Sequence, residues 1–84
     1  MMVVGQNRTC AVPFEGGVWM VDRNGNIVFS AVGAPEYRIV VAHYESMEKA
    51  KMAFDMMISY FNSDDSGYVF RMPQEQDIFP LPMF

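Results

Sequence analysis

Residues 18–32 read VWMVDRNGNIVFSAV, and this stretch decides the fold because it predicts a β-hairpin. Two apolar runs, Val18–Asp22 and Ile27–Val32, flank a polar centre that contains Asn24 and Gly25. An Asn-Gly pair is the strongest short hairpin signal, since both residues tolerate positive φ. The stretch therefore predicts two antiparallel strands joined by a two-residue turn.

The length of that turn fixes the predicted register of the hairpin. A two-residue turn places Met20 opposite Phe29 and Val18 opposite Ala31. Trp19 then lies on the other face, because successive side chains in a strand alternate between the two faces. Both faces carry apolar residues. We therefore expect the hairpin to be either central in a sheet or covered on both sides.

The 84-residue chain has room for a single small domain around this hairpin. Ser46 is a good N-cap for a helix predicted over Met47–Asn62. Apolar runs predict four further strands, at Met1–Val4, Thr9–Val12, Tyr37–Tyr44 and Tyr68–Met72. The predicted fold class is α+β: an antiparallel sheet of about five or six short strands with one amphipathic helix packed on one face. Residues 1–73 form the predicted domain, and residues 74–84 form a proline-broken apolar tail.

The predicted helix has apolar residues on two sides. Its broad core face consists of Met47, Ala50, Phe54, Met57, Ile58 and Phe61. Met52, Met56 and Tyr60 recur at four-residue spacing on a second side. That second stripe fits either a wide core in which Met fills gaps or a contact with a symmetry mate. We predict a homo-oligomer whose interface includes this stripe and the tail residues Phe79 and Leu81.

Composition excludes several classes of protein. Cys10 is the only cysteine and His43 the only histidine, so we expect no disulfide framework, no metal site and no cofactor. No nucleophile–base–orienter set is visible, and we predict that the chain is not an enzyme. The net charge of −4 disfavours binding to duplex nucleic acid. We also expect no membrane span and, without a secretory signal, a cytoplasmic location.

The arginines and aromatic residues are the remaining candidates for a ligand site. Guanidinium groups pair with phosphate in two-pronged geometry, and aromatic faces stack on bases. A pocket between subunits would let arginines from two copies converge. Each arginine taken alone is also consistent with an ordinary surface residue. The predicted set for a phosphorylated planar ligand is Arg8, Arg23, Arg38, Arg71, Trp19 and Tyr37.

Three segments resemble small uncharacterised proteins of Gram-positive bacteria and their phages. The first is the Gly5–Thr9 turn, GQNRT, with VPFE at residues 12–15; the others are YESMEKA at residues 44–50 and VFRMP at residues 69–73. Arg8 stands where glycine is usual in that group. This departure disfavours a tight positive-φ turn at that position and places a cation at its tip. The resemblance covers most of residues 1–73, and what it implies is a fold and an origin.

The phage-like origin leads to a functional hypothesis that the residues alone do not give. We expect a non-enzymatic counter-defence protein that acts in the host cytoplasm. One mechanism is an oligomer that sequesters a small phosphorylated nucleotide signal of host immunity, which the arginines favour. The alternative is direct inhibition of a host defence complex such as a CRISPR nuclease, which the acidic charge favours. A structural or interaction role in a prophage is a third possibility.

Overall fold

The computed structural model describes residues 1–34, 36–63 and 69–78. In these ranges the chain forms one α-helix, α1 at Met47–Phe61, and short 3-10 turns at Phe14–Gly16 and Glu75–Asp77. The strands are β1 (Met2–Val4), β2 (Ala11–Pro13), β3 (Gly17–Val21), β4 (Asn26–Ala31), β5 (Arg38–His43) and β6 (Val69–Arg71). The predicted α+β class is confirmed, with one helix and about six short strands.

The strands form two sheets of three strands, in the orders β2-β1-β6 and β3-β4-β5. The prediction of one antiparallel sheet was therefore wrong. Pro13 ends β2 and has no N–H to donate, and the 3-10 turn at Phe14–Gly16 separates β2 from β3. β1 pairs antiparallel with β2 but parallel with β6. That parallel pair joins residues far apart in the chain, and no local sequence signal specifies it.

The hairpin of β3 and β4 forms where it was predicted, but its register differs by one residue. Trp19 pairs with Phe29, whereas the prediction placed Met20 there. The loop has three residues, because the Asp22 N–H donates to the Asn26 carbonyl at 3.0 Å and Gly25 adopts φ 83°. A three-residue loop that ends in a left-handed residue is the next most common hairpin connection. The one-residue shift puts Trp19 on the same face as Phe29.

The β3-β4-β5 sheet has an inner face that packs on α1 and an outer face that does not. The row Trp19, Phe29 and Ile39 belongs to the inner face. A β-bulge in β5 lets Val41 and Ala42 both be buried, which breaks the strict alternation of faces along this strand. We call the six residues on the other side of the sheet the outer face: Val18, Met20, Val28, Ser30, Arg38 and Val40.

Helix α1 lies between the two sheets. Ser46 caps its N-terminus by accepting a hydrogen bond from the Lys49 N–H, as predicted. Its fully buried residues are Ala50, Ala53 and Met57. Ala50 and Met57 belong to the predicted core face, whereas Ala53 lies beside it on the side of the second stripe, so the buried line follows one edge of the predicted face. Phe61 is 40% exposed although its ring stacks on Phe14 at 4.4 Å, whereas Met52 and Tyr60 pack against the core.

Gln6 joins the two sheets. Its N–H donates to the Val41 carbonyl at 2.8 Å, and its side-chain oxygen accepts from the His43 N–H at 2.9 Å. The Gln74 side-chain amide donates to the Gln6 carbonyl at 2.7 Å. These bonds cover the outer edge of β5 near Val41 and His43 and tie that edge to the segment after β6.

The segment assigned to the tail begins inside the folded domain. Gln74 and Asp77 form a reciprocal capping pair around the 3-10 turn, and Ile78 is 4% exposed and joins the core. The predicted interface residues Phe79 and Leu81 lie outside the described residues, together with the rest of 79–84.

Candidate functional site

Arg8 occupies a left-handed backbone conformation at the turn between β1 and β2. Its φ is 61°, and its N–H donates to the Gly5 carbonyl at 2.9 Å. The neighbouring Asn7 side chain accepts from both the N–H and the hydroxyl of Thr9, which fixes the turn. The prediction that Arg8 argues against a tight positive-φ turn at this position was wrong. The turn places the exposed Arg8 at its tip.

The four arginines are all exposed, and the fold distributes them over both sheets. Arg71 pairs with Val4 in the β2-β1-β6 sheet. Arg38 begins β5 and pairs with Ser30, whereas Arg23 lies in the loop beyond the opposite end of β4. Four residues of strand, about 13 Å, separate those two ends. In a single chain, Arg38 and Arg23 therefore do not line one small pocket.

The two predicted stacking residues have different environments. The Trp19 indole N–H donates to the Phe14 carbonyl at 2.9 Å, and its ring packs against those of Phe14 and Phe29. Trp19 therefore contributes to the core. Tyr37 is 69% exposed and immediately precedes Arg38.

The outer face carries a shallow cavity of about 310 Å³. Arg38 is the only charged residue among the described residues that line it, and the only one of the four arginines there. Its guanidinium group has no hydrogen-bond or ion-pair partner within ranges 1–34, 36–63 and 69–78. The other described residues that line the cavity are Val18, Met20, Ser30, Ala31, Val32 and Gly33. The arrangement suits the anionic group of a mainly apolar molecule.

A larger groove of about 770 Å³ lies between α1 and the segment that contains β6 and the second 3-10 turn. The predicted interface residues Met52, Met56 and Tyr60 come together on its helical side. The other described residues that line it are Asp55, Ser59, Phe70, Asp77 and Ile78. We call these eight residues the acidic groove, since its two charged residues in the described part of the chain are both aspartates.

Asp55 and Asp77 are not among the predicted site residues. Asp55 follows Met52 by three residues and so borders the same helix side. Asp77 belongs to the segment predicted as a tail, and glutamine is not a usual N-cap residue, so only the structure shows its capping pair with Gln74. Of the two aspartates, only Asp55 had a signal in the sequence.

A chain of hydrogen bonds connects His43 to Asp22. The His43 Nδ1 lies 2.7 Å from the Asn26 Oδ1, and the Asn26 side-chain amide donates to the Asp22 Oδ2 at 3.0 Å. Hydrogen bonds from Asn26 hold the pKa of the Asp22 carboxyl below its ordinary value, and the backbone N–H of Asn24 adds to this effect. These hydrogen bonds close the hairpin loop and orient the imidazole of His43.

Cys10 is a half-buried free thiol. Within the described ranges, no group of three or more metal-ligating side chains occurs. No helix in the described part of the chain is long and apolar enough to cross a membrane. No protein-family model matches the chain, and no curated protein or solved structure shows significant similarity to it.

Proposed function

We propose that this protein is a non-enzymatic binding protein whose acidic groove takes an apolar, positively charged segment of a target protein. The observation that supports the proposal most directly is the composition of the groove. Methionine and aromatic side chains form its walls, and Asp55 and Asp77 supply negative charge without a cation among the described lining residues.

The groove suits a helical or extended segment with apolar anchors. Methionine is flexible and polarizable, so walls built from Met52 and Met56 can adapt to differently shaped side chains. Amphipathic helices bind such grooves through anchors at three- and four-residue spacing. A lysine or arginine at the edge of the segment would pair with Asp55 or Asp77. The net charge of −4 also accelerates association with a basic surface.

The class of target follows from the resemblance to phage proteins. A nuclease of a host defence system has a basic surface because it must neutralise the phosphates of nucleic acid. An acidic groove competes for such a surface, so direct inhibition in the host cytoplasm fits the groove better than sequestration of a nucleotide does. In the alternative role, an interaction with another prophage protein, the acidic groove would be the binding surface as well.

The experiment compares two labelled peptides of equal length, an amphipathic Leu/Lys peptide and a Leu/Glu peptide with the same apolar face. Fluorescence anisotropy should show at least tenfold tighter binding of the Leu/Lys peptide, and this preference should weaken as salt is added. Asp55→Lys should reduce the preference, whereas Glu36→Lys, which makes the same charge change outside the groove, should not. Equal affinity for the two peptides would refute the proposal.

Nucleotide sequestration is our second candidate, and the observation that favours it is the Arg38 guanidinium beside a cavity, with no partner among the described residues. A phosphate that is desolvated needs paired cations. Since Arg38 is the single arginine among the described lining residues, we expect a second copy to supply the other. Calorimetry with cyclic di- and trinucleotides and cyclic ADP-ribose isomers tests this candidate. Binding that is weakened by Arg38→Lys supports it, and no binding by any of these nucleotides eliminates it.

A further inference from the structure

We propose that the protein assembles head to tail, with the outer face of one copy seated in the acidic groove of the next. The proposal rests on the proposed function, because both use the same groove. It names a second copy of this chain as an occupant of that groove, and this has a consequence. Target binding and self-assembly exclude each other, so the assembled protein is a form in which the groove is already filled.

The outer face is an apolar surface that α1 does not cover, because α1 packs on the opposite side of the sheet. Val18 is 65% exposed, Val40 56% and Met20 41%. Contiguous exposed apolar patches of this kind mark interaction sites in soluble proteins. Arg38 is the only charged member of the outer face.

The acidic groove has the opposite charge and a similar apolar character. Met56 is 44% exposed on its helical wall, and Asp55 and Asp77 are the charged residues among its described lining. Seating the outer face there would cover its exposed valine and methionine side chains on one copy and Met56 on the other. It would also bring the Arg38 guanidinium, which has no partner in the described part of the chain, towards carboxylates, and a charged group needs such a pairing when water is removed.

Charge also decides between head-to-tail assembly and a symmetric dimer. A dimer formed by two outer faces would place two Arg38 side chains and no carboxylate of those faces in one interface, and one formed by two grooves would place four carboxylates there without a cation from the described groove lining. Like charges that face each other across an interface are unfavourable. A contact between two different surfaces pairs opposite charges in every copy. Such a heterologous contact closes into a ring or extends into a filament.

The first test uses one variant of each surface, Val18→Glu on the outer face and Met56→Glu in the groove. Sedimentation velocity of the wild type should show species larger than a dimer as the concentration rises. Each variant alone should be a monomer. Their equimolar mixture should form a one-to-one dimer and nothing larger, because one variant keeps an intact groove and the other an intact outer face.

The second test reverses the charges. Arg38→Glu and Asp55→Arg should each weaken assembly at least tenfold, and the chain that carries both substitutions should assemble again. Arg23→Glu, which removes an exposed arginine in the hairpin loop, is the matched control and should assemble like the wild type. Circular dichroism checks that each variant folds. If Met56→Glu does not fold, Asp55→Arg replaces it in the mixing experiment.

Three results would overturn head-to-tail assembly. One is a wild type that stays monomeric over a wide concentration range. Another is a variant of either surface that still dimerises alone, which indicates a symmetric interface. The third is a full-length chain that stays monomeric while a chain without residues 79–84 assembles, which identifies that segment as the occupant of the groove.

The Leu/Lys peptide separates failure of the assembly from failure of the proposed function. It is added to Val18→Glu, the variant expected to leave the groove free. A monomeric wild type together with tight peptide binding refutes only the assembly. An assembling wild type whose Val18→Glu variant ignores the peptide refutes only the proposed function.

Discussion

The hydroxyl group of Tyr44 donates a 2.7 Å hydrogen bond to the carbonyl oxygen of Pro73. Tyr44 directly follows β5 and is fully buried, whereas Pro73 follows β6, so this bond connects the two sheets. Burial raises the pKa of the Tyr44 phenol well above its ordinary value, and the carboxylates of Glu75 and Asp77 add to that effect. The phenol therefore keeps the proton with which it binds Pro73.

Removing that hydroxyl should destabilise the protein. Tyr44→Phe leaves the Pro73 carbonyl without its shortest hydrogen bond, and we expect a loss of about 1–2 kcal/mol in the free energy of unfolding. Urea unfolding followed by circular dichroism measures it. Tyr37→Phe is the control, because Tyr37 is 69% exposed, and its stability should not change. Equal losses in the two variants would contradict a role for the buried bond.

Gln6 should couple energetically to Tyr44. The Gln6 side-chain amide lies 3.4 Å from the same Pro73 carbonyl oxygen, so the two side chains share an acceptor. We expect Gln6→Ala to cost about 2 kcal/mol, because the His43 N–H also loses its partner. In a double-mutant cycle with Tyr44→Phe, a coupling of about 0.5–1 kcal/mol is expected. Strictly additive losses would show that the two bonds to Pro73 are independent.

Gly25 and Gly33 form a matched pair that separates backbone strain from steric clash. Both have positive φ, at 83° and 89°. A Cβ at Gly25 would meet the carbonyl oxygen of Tyr44, whereas a Cβ at Gly33 has nothing within 4 Å. Gly33→Ala should cost about 1 kcal/mol from the backbone alone, and Gly25→Ala about 1–2 kcal/mol more. Thermal unfolding of both variants tests this order, and similar melting temperatures would argue against the clash.

The hydrogen bonds from Asn26 to Asp22 should appear in a pH titration. Carboxyl NMR of the wild type should give Asp22 a pKa below its ordinary value of 3.8, and Asn26→Ala should raise it. Because the folded pKa is lower than the unfolded one, this carboxylate stabilises the fold above the unfolded pKa, and that contribution is lost as the pH falls through the folded pKa. An Asp22 pKa that does not move in Asn26→Ala would show that the side-chain amide of Asn26 is not a cause of the lowered pKa, since the backbone N–H of residue 26 remains.

The left-handed backbone at Arg8 makes opposite predictions for two substitutions. A non-glycine residue in this conformation costs about 1–2 kcal/mol. Arg8→Gly removes that cost against an entropic penalty of about 0.5–1 kcal/mol, so stability should be unchanged or slightly higher. Arg8→Val should lose about 1 kcal/mol or more, since β-branched residues resist positive φ. Chemical unfolding compares the two variants, and a stabilising Arg8→Val would be inconsistent with φ 61° at this residue.

Local signals in the sequence determined the elements of the fold. Alternating apolar residues on both sides of Asn24 and Gly25 predicted the β3-β4 hairpin, and Ser46 predicted the start of α1, because strand periodicity and N-capping depend on neighbouring residues alone. The four-residue spacing of Met52, Met56 and Tyr60 likewise identified the helix side that became one wall of the groove. Such patterns do not need knowledge of the rest of the chain.

Only the tertiary structure decided how these elements pair and which surfaces they leave open. The parallel pairing of β1 with β6 places Val3 beside Phe70, although most of the chain separates them in sequence. No pattern among neighbouring residues predicts this pairing. The hairpin register depended on whether Gly25 ended a two- or a three-residue loop. In the structure the loop has three residues, and the Tyr44 N–H donates to the Gly25 carbonyl. The acidic groove exists because the turn that carries Asp77 packs beside α1. Long-range packing, which minimises exposed apolar area over the whole chain, selects among arrangements that local propensities leave nearly equal.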